Sequence, residues 1–270
     1  MEIPAFTLKT GTKIPAIGLG TWQLSGKACA DAVKAALRLG YTHFDTAEMY
    51  ENQEQIGAAI KGVERKRLFI TSKVWHANLG YEDTLAACEQ TLKQLGTNYL
   101  DLYLIHWPNQ AIPMQQTFRA LEELHRAGKI KALGVSNFTI GHLKEAMQAS
   151  SVPLAVNQVE FHPFLNQQEL LDFCKKSGIV LTAYSPLARG RVNDDLTIQA
   201  IAEKHAKTPG QTALRWCFQK GLVAIPKASS EAHLRENLAI FDFELDKADM
   251  RALDALPQHR IVNPAFAEFE

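Results

Sequence analysis

Neither sign of charge is in excess in this chain: 29 lysines and arginines stand against 29 aspartates and glutamates. With no basic field and no polybasic run, nothing argues for a nucleic-acid or membrane partner. No apolar run approaches the roughly 18 residues of a helical membrane span. Cysteine is scarce. Cys29, Cys88, Cys174 and Cys217 lie far apart, with no C-x-x-C and no metal-type spacing. They read as buried thiols of a reducing compartment. The start, Met1-Glu2-Ile3-Pro4, lacks a signal-peptide pattern, so a cytoplasmic location is expected. The match of Asn137-Phe138-Thr139 to a glycosylation sequon then counts as chance. Also missing are a P-loop and H-E-x-x-H, and Gly18-Leu19-Gly20-Thr21-Trp22-Gln23 lacks the third glycine of a dinucleotide fingerprint.

What the chain does have is repetition. After a short hairpin signal around Thr10-Gly11-Thr12, apolar runs alternate with helix-period segments. Strands are predicted at 16–19, 42–45, 68–72, 100–105, 132–135, 155–159, 180–183 and 223–225. Helices are predicted at 28–39, 54–61, 81–95, 115–127, 140–149, 167–176, 196–205, 208–220 and 231–238. Gly40, Gly96, Gly128, Gly178 and Gly221 each follow a helical pattern, where a left-handed residue ends a helix. Asn166 and Asp195 are expected to cap the helices that follow them. A further helix is expected at 247–256, then an irregular tail. Eight strand–helix units in this length predict an α/β fold: a (β/α)8 TIM barrel with an N-terminal β-hairpin and one extra C-terminal helix. Residues 1–270 are read as one barrel domain and as a monomer. An open doubly wound sheet is the weaker alternative, because its fingerprint is missing.

In such a barrel the site lies at the C-terminal ends of the strands. Those ends carry, in order, Gly20-Thr21-Trp22, Asp45 with Tyr50 beyond it, Lys73, His106, Ser136-Asn137, Gln158, Tyr184-Ser185 and Lys227. Each has a bland reading alone. A lone histidine is usually a satisfied core or surface group, and an aspartate there can simply cap a helix. Tyr50 is expected at the start of a helix, where it would ordinarily pack. The coincidence of four ionisable types on one face weakens the bland reading.

Their chemistry also agrees. Asp45 and Lys73 can pair, which resolves the burial of both charges. An ammonium beside a phenol should lower the phenol's pKa from about 10 and make Tyr50 a better general acid. His106 can orient a carbonyl oxygen. No serine or cysteine has a base beside it, and a lysine between Asp45 and His106 would repel a divalent ion, so no metal is expected. The set polarises and protonates a carbonyl, and a nicotinamide cofactor would supply hydride.

The sequence resembles the aldo-keto reductase family along nearly its whole length. The matching stretches are GLGTW at 18–22, FDTAEMY at 44–50, FITSKVW at 69–75, DLYLIHWP at 101–108, IKALGVSNF at 130–138, VNQVEFHPFL at 156–165, LTAYSPLARG at 181–190 and IPKASSEAHLRENLAIFDFEL at 225–245. The compact form and short tail are most similar to bacterial 2,5-diketo-D-gluconate reductases. The resemblance implies reduction of aldehydes and ketones, with methylglyoxal-type dicarbonyls, keto esters and 2,5-diketo-D-gluconate as candidate substrates. It implies Tyr50 as acid, Lys73 and Asp45 tuning it, and His106 orienting the carbonyl. It implies that Ser136, Asn137 and Gln158 hold the nicotinamide carboxamide, and that Tyr184 stacks on the ring. Thr21, Trp22 and Asp45 would also meet the cofactor. Ser185-Pro186-Leu187 would run along the pyrophosphate. Lys227, Ser229 and Ser230 would meet a 2′-phosphate, and Glu236 and Asn237 the adenine. Trp22, Trp75 and Trp107, with Tyr50 and His106, would wall the substrate pocket.

Two departures matter. Ala228 stands where the family often has serine, and His233 where it often has arginine. Histidine is a weaker anchor for a 2′-phosphate at neutral pH. NADPH is the expected cofactor because Lys227 is kept, with NADH as second candidate. The short stretches 109–113 and 189–194 predict an open pocket, broad specificity, modest substrate affinity and easy cofactor release. Two rival readings are a cofactor-bound regulatory or binding protein on the same barrel, and a metal-dependent barrel hydrolase. The intact Asp45, Tyr50, Lys73 and His106 argue against the first, and the absence of paired histidines on the first strand against the second.

Overall fold

The computed structural model describes residues 3–269; Met1, Glu2 and Glu270, where the read domain begins and ends, lie outside the described residues. Two short strands, β1 (Ala5–Thr7) and β2 (Lys13–Pro15), form the expected antiparallel hairpin. Eight parallel strands follow in one sheet: β3 (Leu19–Gly20), β4 (His43–Asp45), β5 (Phe69–Val74), β6 (Leu102–Ile105), β7 (Leu133–Ser136), β8 (Val156–Glu160), β9 (Val180–Tyr184) and β10 (Val223–Ala224). They pair strictly in chain order. The sheet curls until its first and last strands meet, through bridges from Ile17 to Ala224 and from Gly20 to Lys227. At that seam only glycine fits, because a Cβ on Gly20 would lie 2.4 Å from the Ile225 carbonyl oxygen. This is the expected (β/α)8 barrel.

The helices lie outside the strands: α1 (Gly26–Leu39), α2 (Gln53–Ile60), α3 (Tyr81–Leu95), α4 (Met114–Arg126), α5 (Ile140–Ala149), α6 (Gln168–Lys176), α7 (Leu196–Lys204), α8 (Pro209–Gln219) and α9 (Glu231–Leu238). The extra helix α10 (Lys247–Asp254) is present. Their starts follow local chemistry. Thr208 caps α8 by accepting the Gln211 N–H, with Pro209 in the first turn, and Asp195 caps α7 through the Ile198 N–H. All five expected glycines adopt left-handed φ. Asn166 does not cap α6. Gln167 occupies the cap position without a side-chain bond, while Asn166 turns its amide to Asp254 on α10 at 3.1 Å. That long-range partner outcompetes the local one. Among the described residues no helix is long and apolar enough to cross a membrane. All four cysteines are buried and free.

There are two apolar layers. One lies between strands and helices, around residues such as Phe44, Tyr103, Phe118 and Trp216. The other fills the barrel interior near the strand starts, with Phe69, Leu102, Ala132, Ala155 and Val223. The hairpin adds Leu8 and Ile14 to this second layer, both fully buried. Each such side chain contributes roughly 1.5–3 kcal/mol on burial. The hairpin therefore plugs the N-terminal end and leaves the C-terminal end for the site.

Candidate active site

Asp45 ends β4, inside the barrel mouth. Its burial is complete, and so is that of Lys73 on β5. Lys73 Nζ donates to Asp45 Oδ1 at 2.5 Å, to the Thr46 carbonyl at 2.9 Å and to Tyr50 Oη at 3.4 Å, so all three of its hydrogens are used. The other Asp45 oxygen accepts from Gln158 Nε2 at 2.7 Å. The predicted pair exists, and Gln158 completes it. Burial pushes the Asp45 carboxyl up and the Lys73 ammonium down, and each charge opposes the shift of the other.

Tyr50 does not start a helix. It ends a three-residue 3-10 turn, Glu48–Tyr50, followed by Glu51 in the left-handed region. Glu48 fixes this turn to the end of β5 by accepting the Trp75 N–H at 2.8 Å. The Tyr50 ring packs 4.9 Å from Trp22 and edge-on to His106 at 5.5 Å. The expected lowering of its pKa does not occur. Burial raises it well above 10, and the Asp45 charge raises it further. Desolvation of the phenolate outweighs the ammonium 3.4 Å away. Tyr50 therefore keeps its proton at neutral pH.

His106 follows β6, its N–H bonded to the Val74 carbonyl at 3.0 Å. Burial, then the Lys73 and His76 charges, hold its pKa well below 6.5, so the imidazole is neutral. Ser136 ends β7 and gives its hydroxyl to the Gln158 carbonyl at 2.8 Å. Asn137 follows in the left-handed region, bonded to the His106 carbonyl at 3.0 Å and to the Tyr184 hydroxyl at 2.8 Å. The groups expected around a carboxamide thus bind one another and form one connected polar wall. Thr21 donates its hydroxyl to the Asp45 carbonyl at 2.9 Å.

One cavity of about 530 Å³ joins these groups. Trp22, Asp45, Tyr50, Trp75, His106 and Trp107 line one part, and Ser136, Asn137, Gln158, Tyr184, Ser185 and Lys227 another. Pro186, Leu187, Ser229, Ser230, His233, Glu236 and Asn237 do not line it. They belong to the turn after β9 and to the start and body of α9. Ser230 caps α9 through the His233 N–H at 3.2 Å, which leaves its hydroxyl hydrogen free to donate outward. Arg235 pairs with Glu231 on its own helix.

Several lining residues had no local signal. Met49 and Ile225 border the cavity, as does Arg189 at φ 54 in a turn where Ser185 and Ala188 are also left-handed. The largest omission is the tail. Ile261, Val262, Asn263, Pro264 and Phe266 wall the cavity, so the opening left by the short loops is closed on one side by chain read as irregular. Phe266 stacks on His76 at 4.4 Å and meets Trp75 and Trp107 edge-on. Among the described residues no group of three or more His, Cys, Asp or Glu could hold a metal ion.

The donor set fits a nicotinamide cofactor: amide and hydroxyl groups and a phenol ring by the mouth, and the Lys227 and Arg189 cations along the same cavity. Comparison with known proteins agrees. The model of the Aldo/keto reductase family matches residues 16–258. A glyoxal reductase of Bacillus subtilis (strain 168) is 49% identical over 260 residues, covering 95% of this chain and 94% of the relative. A solved candidate 2,5-diketo-D-gluconic acid reductase B superposes with a TM-score of 0.95 at 38% identity, over 99% of this chain and 97% of that one. An aldo-keto reductase complexed with NADPH superposes with a TM-score of 0.92 at 35% identity, over 98% of this chain and 91% of that one. The motifs, the barrel and these matches agree, and the chain belongs to the aldo/keto reductase family, as an oxidoreductase that handles small carbonyl compounds with a nicotinamide cofactor.

Proposed function

We propose that this enzyme reduces aldehydes and ketones with NADPH, using Tyr50 as the general acid. The observation that carries this is the Tyr50 hydroxyl, 3.4 Å from the Lys73 ammonium and facing the cavity it shares with His106. A bound dihydronicotinamide supplies hydride to the carbonyl carbon. Tyr50 gives its proton to the oxygen. An alkoxide is a stronger base than a phenolate, so the transfer runs downhill even from a phenol with a raised pKa. Lys73 then stabilises the phenolate left behind, and Asp45 holds Lys73. His106, kept neutral, can donate one hydrogen bond to the carbonyl oxygen without adding a charge.

For the cofactor, Ser136, Asn137 and Gln158 offer amide and hydroxyl groups to the carboxamide, and Tyr184 offers its ring, with Thr21 and Trp22 nearby. Ser185, Pro186 and Leu187 would follow the pyrophosphate. Lys227, Ser229, Ser230 and His233 would meet the 2′-phosphate, and Glu236 and Asn237 the adenine. Lys227 favours NADPH over NADH, and the NADPH-bound neighbour supports the same choice. The likeness to a glyoxal reductase favours small dicarbonyls such as methylglyoxal. Keto esters and 2,5-diketo-D-gluconate are further candidates. The test is a panel of these carbonyls, each with NADPH and with NADH. One alcohol should form per NADPH oxidised; no oxidation with any of them would refute the reading and favour a binding role.

A further inference from the structure

The reaction just described leaves Glu160 and His162 unused, although both are fully buried beside the site. Glu160 ends β8, two residues beyond Gln158. Its carboxylate reaches into the tail. Oε1 accepts the Ile261 N–H at 2.7 Å and meets His162 Nε2 at 2.9 Å. Oε2 accepts the Val262 N–H at 2.8 Å and lies 4.0 Å from the Arg260 guanidinium. A buried carboxylate persists only where donors fill its oxygens, and here two of the donors are tail amides. Burial alone would raise the Glu160 pKa. The bonds from His162, Ile261 and Val262 outweigh it and hold the carboxyl below 4.5, so it is a charged acceptor at neutral pH. Bonds to a charged acceptor are the stronger kind.

These two amides stand where the chain turns into the cavity. Ile261 and Val262 line it themselves, and Phe266 packs against Trp75 and Trp107 shortly after. Glu160 itself does not line the cavity. We propose that Glu160 is a positioning residue for substrate recognition: it latches the backbone at Ile261 and Val262, and so sets the wall that ends in Phe266. His162 holds the latch oxygen in place. The proposal rests on the reading that this cavity takes the carbonyl substrate.

The test uses the full-length chain. Glu160→Gln keeps the shape and removes the charge. Trypsin cleavage after Arg260 should then quicken about tenfold or more, because a charge-assisted hold on the Ile261 N–H is lost. The KM for a bulky aryl aldehyde should rise several-fold with little change in kcat or in NADPH affinity. Combined with Phe266→Ala, the two effects on KM should fall short of their sum, since both act on one wall. Val262→Pro removes a latch donor without touching Glu160, and should reproduce the faster cleavage if Glu160→Gln fails to fold. An unchanged cleavage rate in a folded variant, or fully additive KM effects, would overturn the latch. Absence of carbonyl reduction by the unaltered chain would instead refute the functional reading, because the cleavage assay needs no activity.

Discussion

Removing either member of the Asp45–Lys73 pair should cost far more stability than removing both. The two are completely buried at 2.5 Å, Lys73 has no spare hydrogen, and both Asp45 oxygens are occupied. Asp45→Asn leaves a buried ammonium without its anion, and Lys73→Met leaves a buried carboxylate without its cation. Breaking a buried pair in this way costs about 3–5 kcal/mol. At about 2–3 °C per kcal/mol for a chain of this size, the melting temperature should fall by about 6–15 °C in each single variant. The double variant removes both charges, and Gln158 can still donate to the new amide oxygen. It should regain most of the loss, to within about 2 kcal/mol of the unaltered chain, while remaining inactive. Denaturant or thermal unfolding of all four proteins measures the cycle. A double variant whose loss equals the sum of the singles would show that the two charges do not depend on one another, and would refute the account of Tyr50's surroundings.

Two further outcomes follow from the same geometry. His233→Arg, at the exposed start of α9, should tighten NADPH binding several-fold and leave NADH unchanged, because a guanidinium grips a phosphate bidentately where an imidazole cannot; equal effects in a binding titration would contradict the 2′-phosphate assignment. The profile of kcat/KM for reduction should be flat from about pH 7 to 9 as far as Tyr50 and His106 are concerned. Tyr50 keeps its proton until the pH passes well above 10, and His106 gains one only well below 6.5, so neither changes charge in that window. A break near neutrality would assign one of them a different pKa.

Much of the site was legible because burial leaves few choices. A carboxylate at the end of a buried strand needs a partner, and Lys73 on the next strand, two residues past the register partner Thr71, is the cation that the parallel pairing brings to it. The left-handed glycines and the cap at Asp195 are signals of a few residues, and they survive into the structure. What stayed hidden depends on distance in space. Asn166 had a nearer helix to cap, and Asp254 takes it. A three-residue turn has no period, so no repeat in the sequence marks the element that carries Tyr50. The direction of the Tyr50 pKa depends on how deeply the phenol is buried, which no spacing encodes. The wall at 261–266 is irregular chain, held by Glu160 from about a hundred residues away, and nothing local announces it.

The central claim is that the Tyr50 hydroxyl is the proton donor to the carbonyl oxygen. Tyr50→Phe measures it most directly, because the ring that packs on Trp22 and His106 is kept and only the hydroxyl is lost. The account predicts near-complete loss of carbonyl reduction with NADPH binding close to that of the unaltered chain. Substantial reduction by Tyr50→Phe would contradict it.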